Sequence, residues 1–289
     1  MQMGYWNQPR AAAREDGPVR WRSAGFAGLG RLSRRRRLLV LTCIAVAAAV
    51  AVGSVIAAMA ARDAKPAERA VPSQTVAGPV LLVPGYGGET GALEQLASRL
   101  RAAGRTATVV QLPDGGVGDL NGQATALDRS VTEALRDGAP SVDVVGYSAG
   151  GIVARLWVQQ HDGADKARRI ITLGSPHHGT TLAAAGAAAL PGACPTACQQ
   201  LVPGSRLLSG LTTPVPNPPA WLSVWTEQDQ TVTPPSSAQL DGALSFPVQS
   251  ICPDIRLAHS QLPTNPVVQR IAEQALGAQP LAWPTAAVC

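Results

Sequence analysis

Val142-Asp143-Val144-Val145-Gly146-Tyr147-Ser148-Ala149-Gly150 runs directly into Gly151-Ile152-Val153-Ala154-Arg155-Leu156. A short β-branched run leads into Gly-x-Ser-x-Gly, and an apolar stretch of helical character leads out. The motif depends on that context. The strand-to-helix turn is so sharp that the serine backbone is strained, the flanking glycines carry no side chain to clash, and Oγ projects at the helix N-terminus. With 29 glycines in the chain, five such residues can also arise by chance, as a glycine-rich turn whose serine merely caps a helix. The strand before and the helix after select the first reading, and Ser148 is the candidate nucleophile.

Outward from this turn, β-branched runs alternate with helical stretches. The spacing predicts strands at Pro79–Val83, Thr106–Leu112, Val142–Gly146, Arg169–Leu173, Trp221–Trp225 and Phe246–Ile251. Helices are expected at Gly91–Ala103, Asn121–Arg136, Ala149–Gln160 and Pro266–Leu276. Such alternation implies an α/β fold, a compact and mostly parallel sheet with helices on both faces. Reactive groups in these sheets gather beyond the carboxyl ends of the strands. An Ala/Pro/Cys-rich region from about 180 to 218 is irregular. Its apolar residues (Leu182, Leu190, Leu201, Val202, Leu207, Leu208 and Leu211) suit either a small cap over the site or a loop packed on the sheet.

A serine needs a positioned base. His161 lies at the far end of the helix that starts at Ser148, about 18 Å away at ~1.5 Å per residue, and is read as solvated. His177 and His178 are expected to order the loop Gly174-Ser175-Pro176-His177-His178-Gly179-Thr180. His259 follows the last strand and precedes the last helix, the slot for the base. The acid should lie between the two in sequence and accept from the imidazole Nδ1. Asp229 stands just past the Trp221–Trp225 strand, with Glu227 as runner-up. Asp254 is too near His259 in sequence, Asp162 and Asp165 lie at the wrong end of the sheet, and Asp143 is expected to bond locally at its strand start. Two backbone N–H donors for a developing oxyanion are expected from Ala149 and from Tyr86 in Pro84-Gly85-Tyr86-Gly87-Gly88, whose glycines allow close backbone approach. That loop lacks the Lys-Ser/Thr of a phosphate-binding loop and lacks G-x-G-x-x-G.

Taken together, Pro84–Gly88, Gly146–Gly150, Gly174–Thr180 and the loop at Asp229 resemble the exported actinobacterial lipases and esterases of the α/β-hydrolase fold, the lipase class 2 group. The similarity runs from about Pro79 to Leu276. It implies cleavage of carboxylic esters, acylglycerols or simpler ones, through an acyl-enzyme without metal or organic cofactor. Related lipases often carry His-Gly where this chain has Pro84-Gly85, a departure that a backbone donor tolerates. An acyltransferase using the same residues is the alternative, and a non-catalytic binding protein of this fold is a further one.

Charge separates the chain into parts. Of the 24 Lys and Arg, nine arginines precede residue 38, against Glu15 and Asp16. The remainder holds 15 basic and 17 acidic residues, a net of −2. The folded body therefore carries no basic footprint for nucleic acid. Arg34-Arg35-Arg36-Arg37 abuts the uncharged run Leu38–Ala61, which as a helix reaches about 36 Å against a hydrocarbon core of roughly 30 Å. The excess of positive charge before it predicts a cytoplasmic tail (1–37), a transmembrane signal-anchor (38–61), a linker (62–78) and an external catalytic domain (79–289). The competing reading is a signal peptide cleaved near Ala60, after Ala58-Met59-Ala60, although the apolar run exceeds the usual ~7–15 residues. Cys43 lies in that run. The other four, Cys194, Cys198, Cys252 and Cys289, favour disulfides in an external compartment over a zinc site. Four cysteines allow three pairings, of which Cys194–Cys198 and Cys252–Cys289 are expected. The expected partners are a lipid or small ester substrate and the membrane, with the chain a monomer.

Overall fold

A computed structural model of the chain describes residues 33–63, 71–189 and 192–289. Most of the tail expected over 1–37, residues 64–70 of the expected linker, and Leu190 lie outside the described residues. The chain divides into an N-terminal unit ending at Glu68 and a body beginning at Arg69, each considered by itself.

Among its described residues, the N-terminal unit contains one helix, α1 (Arg34–Asp63). Its segment Arg34–Ile56 has a mean hydropathy of 2.6 and is long and apolar enough to cross a membrane. The few hydroxyls along it are satisfied within the helix: Thr42 donates to the Leu38 and Leu39 carbonyls and Ser54 to that of Val50. Neither hydroxyl needs water or a partner outside the helix as an acceptor for its proton.

The body is built on six strands: β1 (Val80–Val83), β2 (Ala107–Val109), β3 (Val142–Tyr147), β4 (Ala167–Leu173), β5 (Ala220–Trp225) and β6 (Leu244–Pro247). They pair in the order β2-β1-β3-β4-β5-β6, every pair parallel. β1, β3 and β4 are central, and β1 and β4 are buried at every position, as a sheet covered on both faces requires. Helices α2 (Gly91–Ala102) and α8 (Pro266–Ala275) cover one face, packing Leu93, Leu96, Val268 and Ile271 against Val80, Leu82 and Val145. Helices α3 (Leu120–Arg136) and α4 (Ala149–Gln160) cover the other, with Leu127, Ile152 and Trp157 against Leu81, Val144 and Ile170. Three short helices follow β4: α5 (Thr181–Ala189), α6 (Thr196–Gln200) and α7 (Arg206–Ser209). Disulfides join Cys194 to Cys198 and Cys252 to Cys289.

Two strands differ from the sequence reading. β2 is shorter than Thr106–Leu112. The last strand occupies Leu244–Pro247 and not Phe246–Ile251: after Pro247 the chain turns through Val248–Ser250, and the Cys252 N–H returns to the Val248 carbonyl. Residues expected to be linker also pack on the body from position 71, with Pro72 buried.

Asp143 corrects another expectation. It is fully buried and bonds at long range rather than locally. Its carboxylate takes Arg168 Nε at 2.9 Å and Nη2 at 2.6 Å, and Arg105 Nη2 at 2.7 Å. The same arginines bind carbonyls of the flanking segments: Arg105 holds Gly78 and Leu276, and Arg168 holds Gln74, Leu276 and Gly277. Arg169 adds the Ala275 and Gln279 carbonyls. Both ends of the body are thus clamped at the amino ends of β3 and β4, opposite the elbow. Removing one member of a buried charge pair leaves the other uncompensated, at a cost of about 3–5 kcal/mol. Asp143→Ala is expected to lower unfolding free energy by about that amount in urea melts; a change near the ~0.5 kcal/mol typical of surface sites would contradict the clamp.

Candidate active site

β3 delivers Ser148 and α4 begins at the next residue. Ser148 has φ 53° and ψ −126°, a backbone state costing roughly 1–3 kcal/mol that persists only where the surroundings over-determine it. A Cβ at Gly146 would stand 2.6 Å from the Gly150 backbone, and one at Gly150 would stand 2.2 Å from the Val83 carbonyl oxygen. Both glycines are therefore required for β1, β3 and α4 to meet at this point. The Ser148 N–H donates to the Leu173 carbonyl at 2.8 Å, tying the elbow to the end of β4. Its hydroxyl makes no capping bond to α4.

Asp229 lies in the loop after β5. Its Oδ1 accepts from the Thr231 and Val232 N–H groups at 2.9 and 2.7 Å, which aims Oδ2 at His259 Nδ1, 2.6 Å away. Both side chains are almost wholly buried. A carboxylate only accepts, so Nδ1 carries the imidazole proton and Nε2 is left with its lone pair. Gly174, directly after Leu173, passes so close to the ring that a Cβ there would lie 3.1 Å from Nδ1. The imidazole and the serine thus converge on the same end of β4. Glu227, the runner-up acid, is exposed.

Tyr147, which sequence reasoning passed over, packs its ring against that of His259, with centroids 5.1 Å apart. Its hydroxyl donates to the His259 carbonyl at 3.3 Å. Burial, and then the Asp229 charge, push the phenol up to about 12, so it stays protonated and able to donate at neutral pH. The loop after β1 closes the opposite side. A Cβ on Gly85 would lie 2.9 Å from Ser148 Cβ. Among the described residues, neither the Tyr86 N–H nor the Ala149 N–H has a hydrogen-bond partner.

The remaining histidines have other partners. His161 is half-buried, with Nδ1 3.7 Å from Asp128 Oδ2. His178 Nε2 lies 3.1 Å from the Gln239 carbonyl oxygen. His177 is buried behind the elbow with Nε2 3.1 Å from Thr172 Oγ1, which donates onward to Ser223 Oγ at 2.9 Å. The last two order their loop as the sequence reading expects.

Over Ser148 opens a cavity of about 160 Å³. α5 supplies Leu182 and Ala183, α6 and its exit supply Cys198 and Leu201, and the acid loop supplies Thr231 and Val232. The region after β4 thus walls the site. Three of these, Ala183, Thr231 and Val232, carried no sequence signal beyond their neighbourhood.

Residues 79–209 match the family model for palmitoyl protein thioesterase. Among solved structures, Aspergillus fumigatus lipase B aligns over 73% of this chain with a TM-score of 0.58 and 18% identity. The mature form of Bacillus licheniformis lipase BlEst2 aligns over 74% with a TM-score of 0.53 and 19% identity. The chain has the α/β-hydrolase fold. It spans 54% of the length of the fungal lipase and 96% of the bacterial one. No curated protein matches it significantly.

His177 yields a test of the packing behind the elbow. Burial first, then the charges of Arg155 and His178, hold its pKa well below the ordinary 6.5. The unfolded chain therefore takes up a proton near pH 6.5 that the folded one refuses, so stability is full above that pH and falls below it. Urea melts between pH 7 and pH 5 are expected to show a decline that His177→Asn reduces. An equal decline in both proteins would contradict the placement.

Proposed function

We propose that this chain is a serine hydrolase that cleaves carboxylic esters through an acyl-enzyme. The observation that carries the reading is a serine strained at the β3–α4 elbow and, at the same end of β4, a buried imidazole whose Nδ1 is fixed by a carboxylate at 2.6 Å. Ser148 Oγ attacks the acyl carbonyl while His259 Nε2 takes its proton. Asp229 holds the imidazole in the required tautomer and offsets the imidazolium charge. The N–H groups of Tyr86 and Ala149 stabilise the tetrahedral oxyanion. His259 then protonates the departing group, and water repeats the sequence to free Ser148. Lipase-like neighbours of the same fold support ester substrates. The thioesterase family model, matching 79–209, favours one second reading, S-acyl thioesters, which the same residues can serve.

The placement we propose is a single-pass membrane protein with its N-terminus cytoplasmic and its catalytic body outside. The apolar helix flanked by Arg34–Arg37 and the two disulfides support it. A form released by cleavage near Ala60 would carry the same catalytic body.

A fluorophosphonate probe is expected to label the full chain, and Ser148→Ala to abolish labelling; labelling retained in the variant would overturn the assignment of the nucleophile. Asp229→Asn keeps the shape but loses the anion that fixes the tautomer. It should lower kcat by about 10⁴-fold, the scale seen when a triad acid is made neutral, and a loss under tenfold would remove Asp229 from the role.

A further inference from the structure

Among the described residues, the cavity over Ser148 has no Asp, Glu, Lys, Arg or His in its lining. Of the lining hydroxyls, that of Thr180 is already committed: Oγ1 donates to the Thr231 carbonyl at 2.7 Å and accepts from the Leu182 and Thr233 N–H groups. Cys198 presents a disulfide sulfur rather than a thiol. Most of the remaining surface is aliphatic, from Leu182, Ala183, Leu201 and Val232, beside the Thr231 and Tyr86 side chains. The space is chemically apolar and open at one side, where Leu182 and Tyr86 are exposed.

Its depth is limited by how α5 and α6 meet. Gly186 of α5 faces Cys198, and a Cβ there would stand 3.6 Å from Sγ, in ordinary contact. α6 is fixed in turn from outside the cavity. Gln200 accepts from the Leu120 N–H at 2.9 Å and donates to Asp119 at 2.6 Å, and the Cys194–Cys198 disulfide holds the preceding turn. The wall is therefore tied to α3 and cannot retreat without breaking these bonds. An apolar cavity of about 150 Å³ holds a six-carbon ring such as benzene, so 160 Å³ accommodates about six carbons.

Resting on the hydrolase reading, we propose that this cavity is the acyl site and that it measures uncharged acyl chains of up to about six carbons, with Ala183 and Leu201 setting the limit. Each methylene buried in the cavity raises kcat/KM by about fourfold, the equivalent of its transfer out of water. Beyond the limit, further carbons pass over the rim at Leu182 and Tyr86 into solvent and add little. Long-chain acyl groups are then accepted but not favoured over hexanoyl.

The test is a series of nitrophenyl esters from acetate to palmitate, assayed with the full chain in nanodiscs alongside Ser148→Ala. The expected profile climbs steeply to about six carbons and then flattens. Ala183→Phe fills the cavity and should lower the hexanoate-to-acetate ratio at least tenfold. Leu201→Ala deepens it and should move the break to longer chains, which keeps the test decisive if one variant does not fold. A profile that keeps rising through lauroyl and palmitoyl, or peaks at acetate, would overturn the proposal while leaving the hydrolase reading intact. So would a break that neither variant moves. Absence of Ser148-dependent turnover on every ester would overturn the hydrolase reading, and this one with it.

Discussion

Holding a residue with a Cβ at φ 53° is the constraint on which the site depends. The conformation is unfavourable in isolation, so three elements must press on it at once. β1 reaches Gly150 through the Val83 carbonyl, the start of α4 reaches Gly146, and the end of β4 holds the Ser148 amide. These contacts fix more than the serine. Because β4 continues into Gly174, where a Cβ would lie 3.1 Å from His259 Nδ1, the residue that holds the Ser148 amide is followed by the one that limits the imidazole. The sheet register places Gly146 opposite Thr172 and Tyr147 opposite Leu173, so the strand ends align.

Much of this was legible because its causes are local. Gly-x-Ser-x-Gly between a β-branched run and an apolar helical stretch states its own geometry, and α4 occupies the expected Ala149–Gln160. The candidates Ser148, Asp229 and His259 rest on the chain order this fold implies, and they follow β3, β5 and β6 respectively. Asp229 is preferred to Glu227 from its place just past the strand end, and its Oδ1 closes a turn onto the Thr231 and Val232 N–H groups. The six-strand pattern was readable too, since buried parallel strands are continuous apolar runs.

What escaped is long-range or depends on an interruption. Asp143 meets Arg168 and Arg105, residues distant in sequence that no periodicity links to it. Tyr147 reads as a spacer inside the motif, and its contact with His259 exists only once the last loop folds back. The last strand was misplaced because Phe246-Pro247-Val248 has strand-like side chains, whereas Pro247 offers no N–H to continue a ladder. The cavity wall was visible as a set of apolar residues, but only packing separates Leu182, exposed at the cavity mouth, from Leu208 and Leu211, which are buried in the core, and places Leu201 in both.

Transfer of an acyl group to Ser148 is the central claim, and trapping that group tests it most directly. Acid quench in the first turnovers on a nitrophenyl ester, followed by proteolysis and mass spectrometry, should find the acyl group on the peptide containing Ser148. It should disappear as turnover completes, with no other peptide modified. An acyl group on a different residue, or turnover at full rate with no adduct at any time, would contradict the account.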